Sequence, residues 1–106
     1  MPAQPNSRPL ADFILPFLDY CEVEKGLSDN TQRTYGHLLQ LFTKWLHKTG
    51  NADLLPHELT AKHIWSYRLY LARSYKDAHG KHLSKKSQNS YLIALRALLD
   101  FLVDRV

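Results

Sequence analysis

One twenty-residue pattern occurs twice, and that repetition limits the possible folds more than any other feature of the chain. Leu27 to Leu46 reads LSDNTQRTYGHLLQLFTKWL, and Leu83 to Leu102 reads LSKKSQNSYLIALRALLDFL. Superposed without a gap, the copies share Leu27 and Leu83, Ser28 and Ser84, Gln32 and Gln88, Tyr35 and Tyr91, Leu39 and Leu95, and Leu46 and Leu102. Thr31 meets Ser87, and Trp45 meets Phe101. Each copy opens on a serine able to accept a hydrogen bond from a free N–H of a first helical turn, then continues with apolar residues at helical spacing. One amphipathic helix is therefore expected twice.

At about 100° per residue, the first copy places Thr31, Tyr35, Leu38, Leu39, Phe42, Trp45 and Leu46 on one side. Asn30, Arg33, His37, Gln40 and Lys44 fall on the other. The second copy has Lys86, Asn89 and Arg96 on its polar side, with Lys85, Ser87, Gln88 and Ser90 in the first turns. Every amphipathic helix has a solvated face, so polarity alone implies nothing further. The composition of these faces is more informative: the stripe from Asn30 to Lys44 carries no carboxylate, and neither does Lys85 to Ser90. Cations and amides without acids suit phosphate oxygens and base edges.

The rest of the chain reads as further helices. Residues 1 to 8, with two prolines, are expected to be a disordered lead-in, and 9 to 106 a single domain. A first helix is expected from Pro9 to Lys25, with Phe13, Phe17, Tyr20 and Cys21 on one side. Pro16 removes the hydrogen bond to the Asp12 carbonyl and should kink or delay this helix, and Gly26 should end it. The first repeat helix should run from Asp29 to Lys48, stopped by Thr49, Gly50 and Asn51. A loop over 52–59 then leads to a helix from Ala61 to Tyr75, capped by Thr60 and burying Ile64, Tyr67, Leu71 and Tyr75. Trp65 and Tyr70 fall off that stripe, and the pattern leaves open whether they widen the core or face solvent. A basic connector, KDAHGKHL, precedes the second repeat helix, Lys85 to Asp104. Beyond Tyr91 this helix is apolar almost all round, as expected of a helix sandwiched among the others or of one offering a docking surface.

No segment alternates with period two, so the expected fold class is all-α: four helices in a SAM-like or bundle-like arrangement without a sheet. No apolar run approaches the roughly 20 residues that cross a bilayer, and the amino terminus lacks the apolar block of a secretory signal. Cys21 has no second cysteine to pair with, which fits a reducing cytoplasm. The net charge of +4 is unevenly spread: residues 27 to 106 hold twelve Lys and Arg against six acids, whereas residues 9 to 26 hold four acids and Lys25. A polyanion is the partner this distribution favours.

Catalytic signatures are not apparent. There is no Gly-rich phosphate loop, no paired Cys motif, and no local signature of a Ser/His/Asp set. Of six histidines only His79 and His82 are closely spaced, and neighbouring lysines would repel a cation; no metal or cofactor is expected.

The phrases EKGLSDNTQRTYGHLLQLFTKWLHKTG, LTAKHIWSYRLYL and LSKKSQNSYLIALRALLDFLV together resemble the N-terminal core-binding domain of tyrosine recombinases, the phage integrase and Xer-like group. The likeness covers residues 9 to 106. Gly36 departs from it, since relatives often carry a longer polar residue there, and loosens the stripe expected to face DNA. The resemblance implies a four-helix SAM-like domain forming half of a clamp on duplex DNA, with the second and fourth helices against the major groove and backbone. It also implies a C-terminal catalytic domain supplying Arg, Lys, His and a tyrosine nucleophile that forms a 3′-phosphotyrosine bond. No tyrosine of this sequence is assigned that role, so the fragment is expected to bind DNA without cutting it. Expected partners are double-stranded DNA, the catalytic domain of the same protein and other recombinase protomers, with the isolated domain monomeric.

On the two polar faces Arg33, Lys44, Lys85 and Lys86 are the expected phosphate contacts. Asn30, Thr31, Thr34, His37, Ser87, Gln88 and Asn89 are polar groups able to reach backbone or bases. Lys81 and Lys76 are placed to touch flanking backbone. Two other readings remain open from the sequence: a helix-turn-helix regulator, which needs a tight three- or four-residue turn between two helices, and a helical protein-interaction module.

Overall fold

The computed structural model describes residues 8–105, with side chains from Arg8 to Val103. The lead-in expected over 1–8 therefore lies outside the described residues, Arg8 apart. The chain is all-α, in four main helices: α1 (Ile14–Val23), α2 (Asp29–Lys48), α3 (Ala61–Leu69) and α4 (Lys85–Arg105).

Pro16 delays the start of α1. A 3₁₀ turn over Leu10–Phe13 precedes it, and Pro16 is its third residue, where a missing N–H costs little. The Asp12 carbonyl that Pro16 cannot serve instead accepts from Arg8 Nη2 at 3.5 Å. The guanidinium also lies 5.1 Å from the Phe13 ring centre. The helix ends at Val23, and Gly26 takes the left-handed conformation, φ 62°, that turns the chain toward α2. There the Leu27 N–H donates to the Cys21 carbonyl at 3.0 Å.

The repeated pattern folds into a repeated cap. The Thr31 N–H donates to Ser28 Oγ at 3.2 Å, and the Ser87 N–H to Ser84 Oγ at 3.1 Å. In both copies the glutamine one residue on reaches back over the cap: Gln32 Nε2 donates to the Leu27 carbonyl at 3.0 Å, and Gln88 Nε2 to that of Leu83 at 3.1 Å. The shared Leu-Ser-x-x-Ser/Thr-Gln sequence thus satisfies one helical N–H and one joint carbonyl at each start. At the other end of α2, the Asn51 N–H donates to Leu46 and the Gly50 N–H to His47, the paired bonds that close a helix through a left-handed glycine.

α3 is shorter than the expected Ala61–Tyr75. Thr60 and His63 cap it reciprocally: His63 Nδ1 accepts from the Thr60 N–H at 3.0 Å, and Thr60 Oγ1 accepts from the His63 N–H at 3.4 Å. After Leu69 it widens into a π turn over Tyr70–Ser74, closed by the Tyr75 N–H donating to the Tyr70 carbonyl at 2.9 Å. Tyr70 itself keeps the α register, its N–H donating to the Ser66 carbonyl, and is half-buried against the core; the widening shifts the residues that follow it. The Tyr70 ring lies 6.3 Å from Tyr67 and 6.0 Å from Tyr75. Trp65, by contrast, is 57% exposed.

The basic connector is a small hairpin. Lys76 and His82 form an isolated antiparallel bridge, and Asp77 Oδ1 accepts from the N–H groups of His79 (2.8 Å) and Lys81 (3.0 Å). Gly80, at φ 74°, completes the turn. Among the described residues that bridge is the extent of β structure.

One core joins the helices. Phe17 of α1 sits 5.9 Å from Tyr35 of α2 and 5.6 Å from Phe101 of α4. Phe42 and Trp45 of α2 close on Tyr67 of α3 at 5.0 and 5.2 Å. Burying a side chain of the size of Phe17 contributes about 1.5–3 kcal/mol. The long apolar helix α4 is largely enclosed: Ala94, Leu95 and Leu98 are fully buried, and Leu92 and Leu99 are half-buried against the core. Ile93 and Val103 remain exposed.

Gly36 lies where α2 meets α1. A Cβ there would stand 3.4 Å from Leu18 Cδ1, so this position faces α1, in contrast to its expected place in the DNA-facing stripe. Gly36 sits about a quarter turn from the centre of the stripe formed by Arg33, His37 and Lys44.

Candidate nucleic-acid interface

The core fixes how the two repeated helices stand to each other. Tyr35, in the first half of α2, lines one cavity with Ala97, Asp100 and Phe101, near the end of α4. At the far end of α2, Trp45 touches Tyr67 and the Lys48 ammonium lies 5.7 Å from the Tyr70 ring centre. A chain of rings then leads through Tyr75 to Tyr91, near the start of α4. The start of α2 is therefore beside the end of α4. Roughly 20 Å of α4, at about 1.5 Å per residue, separates that end from its own first turn.

The candidate residues fall into two groups accordingly. One comprises Asn30, Thr31, Arg33, Thr34 and His37 at the start of α2. The other comprises Lys85, Lys86, Ser87, Gln88 and Asn89 at the start of α4, preceded by Lys81 in the hairpin. Lys44, near the end of α2, belongs toward the second group. Each group carries a helix N-terminus, whose unpaired N–H groups and dipole favour an anion. At this separation the two cannot hold the same phosphate.

The side chains differ in what they can offer. Asn30, Arg33, His37, Lys44, Lys81, Lys85, Lys86 and Asn89 are exposed. Thr31, Ser87 and Gln88 are half-buried and engaged at the caps. Thr31 Oγ1 lies 3.1 Å from Ser28 Oγ, Ser84 Oγ donates to Ser87 Oγ at 3.2 Å, and Gln88 holds the Leu83 carbonyl. Thr34 Oγ1 donates to the Asn30 carbonyl at 2.9 Å. These four hold the helix starts in shape, and Gln88 keeps its Oε1 as an acceptor. Nearby carboxylates bound the two groups: Asp29 and Asp100 are exposed, while Asp77 is occupied by the backbone donors of its turn.

Two residues that the sequence reading did not place in a site stand beside the second group. Trp65 and Arg68 of α3 line a cleft with Lys85, Gln88 and Asn89 of α4. The signal available in the sequence was an aromatic outside the buried stripe with a cation three residues later, which one helical turn brings together.

Among the described residues no group of three or more His, Cys, Asp or Glu side chains is placed to hold a metal ion, and no helix is long and apolar enough to cross a membrane. Cys21 is buried in the core, and that burial raises its thiol pKa, with the Lys25 charge opposing the shift. Searches of curated proteins and of solved structures returned no match. A family profile described as "Phage integrase, N-terminal SAM-like domain" matches residues 14–106, which take in all four helices and both copies of the cap. The chain thus belongs to the phage integrase N-terminal SAM-like family, the non-catalytic amino-terminal domain of integrases.

Proposed function

We propose that this domain grips duplex DNA as one half of the clamp of a site-specific tyrosine recombinase of the phage integrase and Xer-like group. The observation that carries the reading is the pair of identically capped helices, α2 and α4, whose exposed cations and amides lie at two helix starts about 20 Å apart. Along one strand, at 3.4 Å per nucleotide, that separation is about six nucleotides, so each start meets its own phosphates.

Arg33 serves the first contact, and Lys44, Lys81, Lys85 and Lys86 the second. Asn30, His37 and Asn89 are short enough to approach backbone or base edges once the helices are seated. Thr31, Thr34, Ser87 and Gln88 shape the caps that present them. Strand cleavage belongs to the catalytic domain of the full-length recombinase, with its tyrosine nucleophile. No tyrosine here is assigned that part; Tyr67 and Tyr91 are buried in the core, and Tyr20, Tyr35, Tyr70 and Tyr75 pack against it. One half of a clamp lacks the effective concentration supplied by the other, so the separate domain binds weakly and with little sequence preference.

NMR titration with duplex DNA tests the reading. The amide signals of Asn30–His37 and Lys85–Asn89 should shift together, and Lys86→Glu should weaken binding on every duplex sequence. Shifts confined to α1, or an affinity indifferent to Lys86→Glu, would count against the assigned faces.

A further inference from the structure

The geometry points to the cleft between α3 and α4 as a seat for an unstacked nucleobase, with Trp65 as the stacking surface. The inference rests on the DNA-binding reading above and extends it to a helix outside the two repeated ones. The chain has two tryptophans, and they are treated oppositely: Trp45 is 4% exposed in the core, whereas Trp65 is 57% exposed. An indole left in solvent lacks the burial that normally accounts for one. Arg68, one turn on, holds its guanidinium over the Trp65 ring, 5.5 Å from its centre, which steadies the ring and covers one face, so the opposite face is the one a base would use.

Across the cleft stand Lys85, Gln88 and Asn89, and the space enclosed is about 150 Å³. Leu69, Ala72 and Leu92 supply apolar wall. Gln88 is fixed in place because its Nε2 is bonded to the Leu83 carbonyl, so its Oε1 is the group with acceptor capacity to spare. Asn89 offers both a donor and an acceptor. Flat aromatic and apolar walls, amides at the rim and two cations for the flanking phosphates are what a single base with its backbone requires. A base inside an intact duplex cannot enter, because both its faces are already stacked. The occupant is therefore an extruded, bulged or otherwise unpaired nucleotide.

The test compares the 106-residue chain on a fully paired duplex and on the same duplex carrying one bulged nucleotide. Stacking on one aromatic favours the bulged duplex by about 5- to 150-fold, and binding it should quench the Trp65 emission. Trp65→Leu, at a solvent-facing position, should abolish that advantage, bringing the ratio of the two affinities to one; Asn89→Ala should reduce the advantage in part. Equal affinity of the unaltered chain for both duplexes overturns the inference while leaving the DNA-binding reading intact. So does an equal loss on both duplexes in Trp65→Leu, or a bulge preference that this variant retains. Failure to bind either duplex removes both readings together.

Discussion

Replacing Tyr67 with phenylalanine should make the domain more stable. Tyr67 is fully buried, its ring packed against Phe42, Trp45 and Tyr70, and its hydroxyl is buried without a hydrogen-bond partner. A polar group removed from water and left unpaired costs about 1–3 kcal/mol. Phenylalanine keeps the ring, its contacts and nearly all of its buried area, and the space left by one oxygen, smaller than a methyl group, costs less than about 1 kcal/mol. The net gain is then about 1–2 kcal/mol. For a domain near 100 residues each kcal/mol moves Tm by roughly 4–8 °C. Urea unfolding followed by circular dichroism reads this directly: Tyr67→Phe should raise the midpoint with no change in slope, since the surface exposed on unfolding is the same. A destabilisation of 1 kcal/mol or more would refute the reasoning, because it would mean that the hydroxyl is paired in solution. Tyr67→Ala, which empties the site, should cost about 3–5 kcal/mol by the measure of other buried aromatics.

Three further outcomes follow from the same structure. Gly36→Ala should stabilise α2 by about 0.5–1 kcal/mol, since alanine is the better helix former and its Cβ only meets Leu18, and should leave DNA affinity unchanged; a fall in affinity would return Gly36 to the DNA-facing surface. Gln32→Ala and Gln88→Ala should each cost about 0.5–1.5 kcal/mol, and their effects should add in the double variant because the two caps are far apart. Burial first, then the neighbouring Tyr75, raises the hydroxyl pKa values of Tyr70 and Tyr91, and burial raises that of Tyr67 as well. The folded state holds those protons more tightly than the unfolded chain does. Stability is therefore complete below the ordinary tyrosine value of about 10 and is lost as pH rises through the range above it. Tyrosinate absorbance and circular dichroism should change together there, whereas ionisation well before unfolding would contradict the burial.

The repeat carried most of the fold into the sequence. Ser28 with Gln32 and Ser84 with Gln88 act locally, so spacing alone locates them, and Gly26 and Gly50 end helices for equally local reasons. α3 was less legible. Its widened turn depends on how Tyr70, Tyr75 and Tyr91 pack, and no periodicity in the 61–75 segment records that. Gly36 was misplaced for a similar reason: a residue without a side chain leaves no mark on a polar or an apolar face, and only the approach of Leu18 shows which way the position points. The candidate site was legible in its residue types and hidden in its layout. The sequence shows two matching helices but not that the start of one lies by the end of the other, which is set by contacts such as Phe17 with Tyr35 and Phe101. Trp65 was visible as an anomaly, and its neighbours in α4 were not, because they lie some twenty residues away in the chain.

The most direct test of the central claim, that one polyanion is held by Arg33 at the start of α2 and by the lysines grouped toward the start of α4, is the salt dependence of affinity for a fully paired duplex. If four or five phosphates are neutralised, log K should fall against log[salt] with a slope near −4, and the double variant Lys85→Glu/Lys86→Glu should flatten it to about −2. A slope near zero, or one that the double variant leaves as steep as before, would contradict the account.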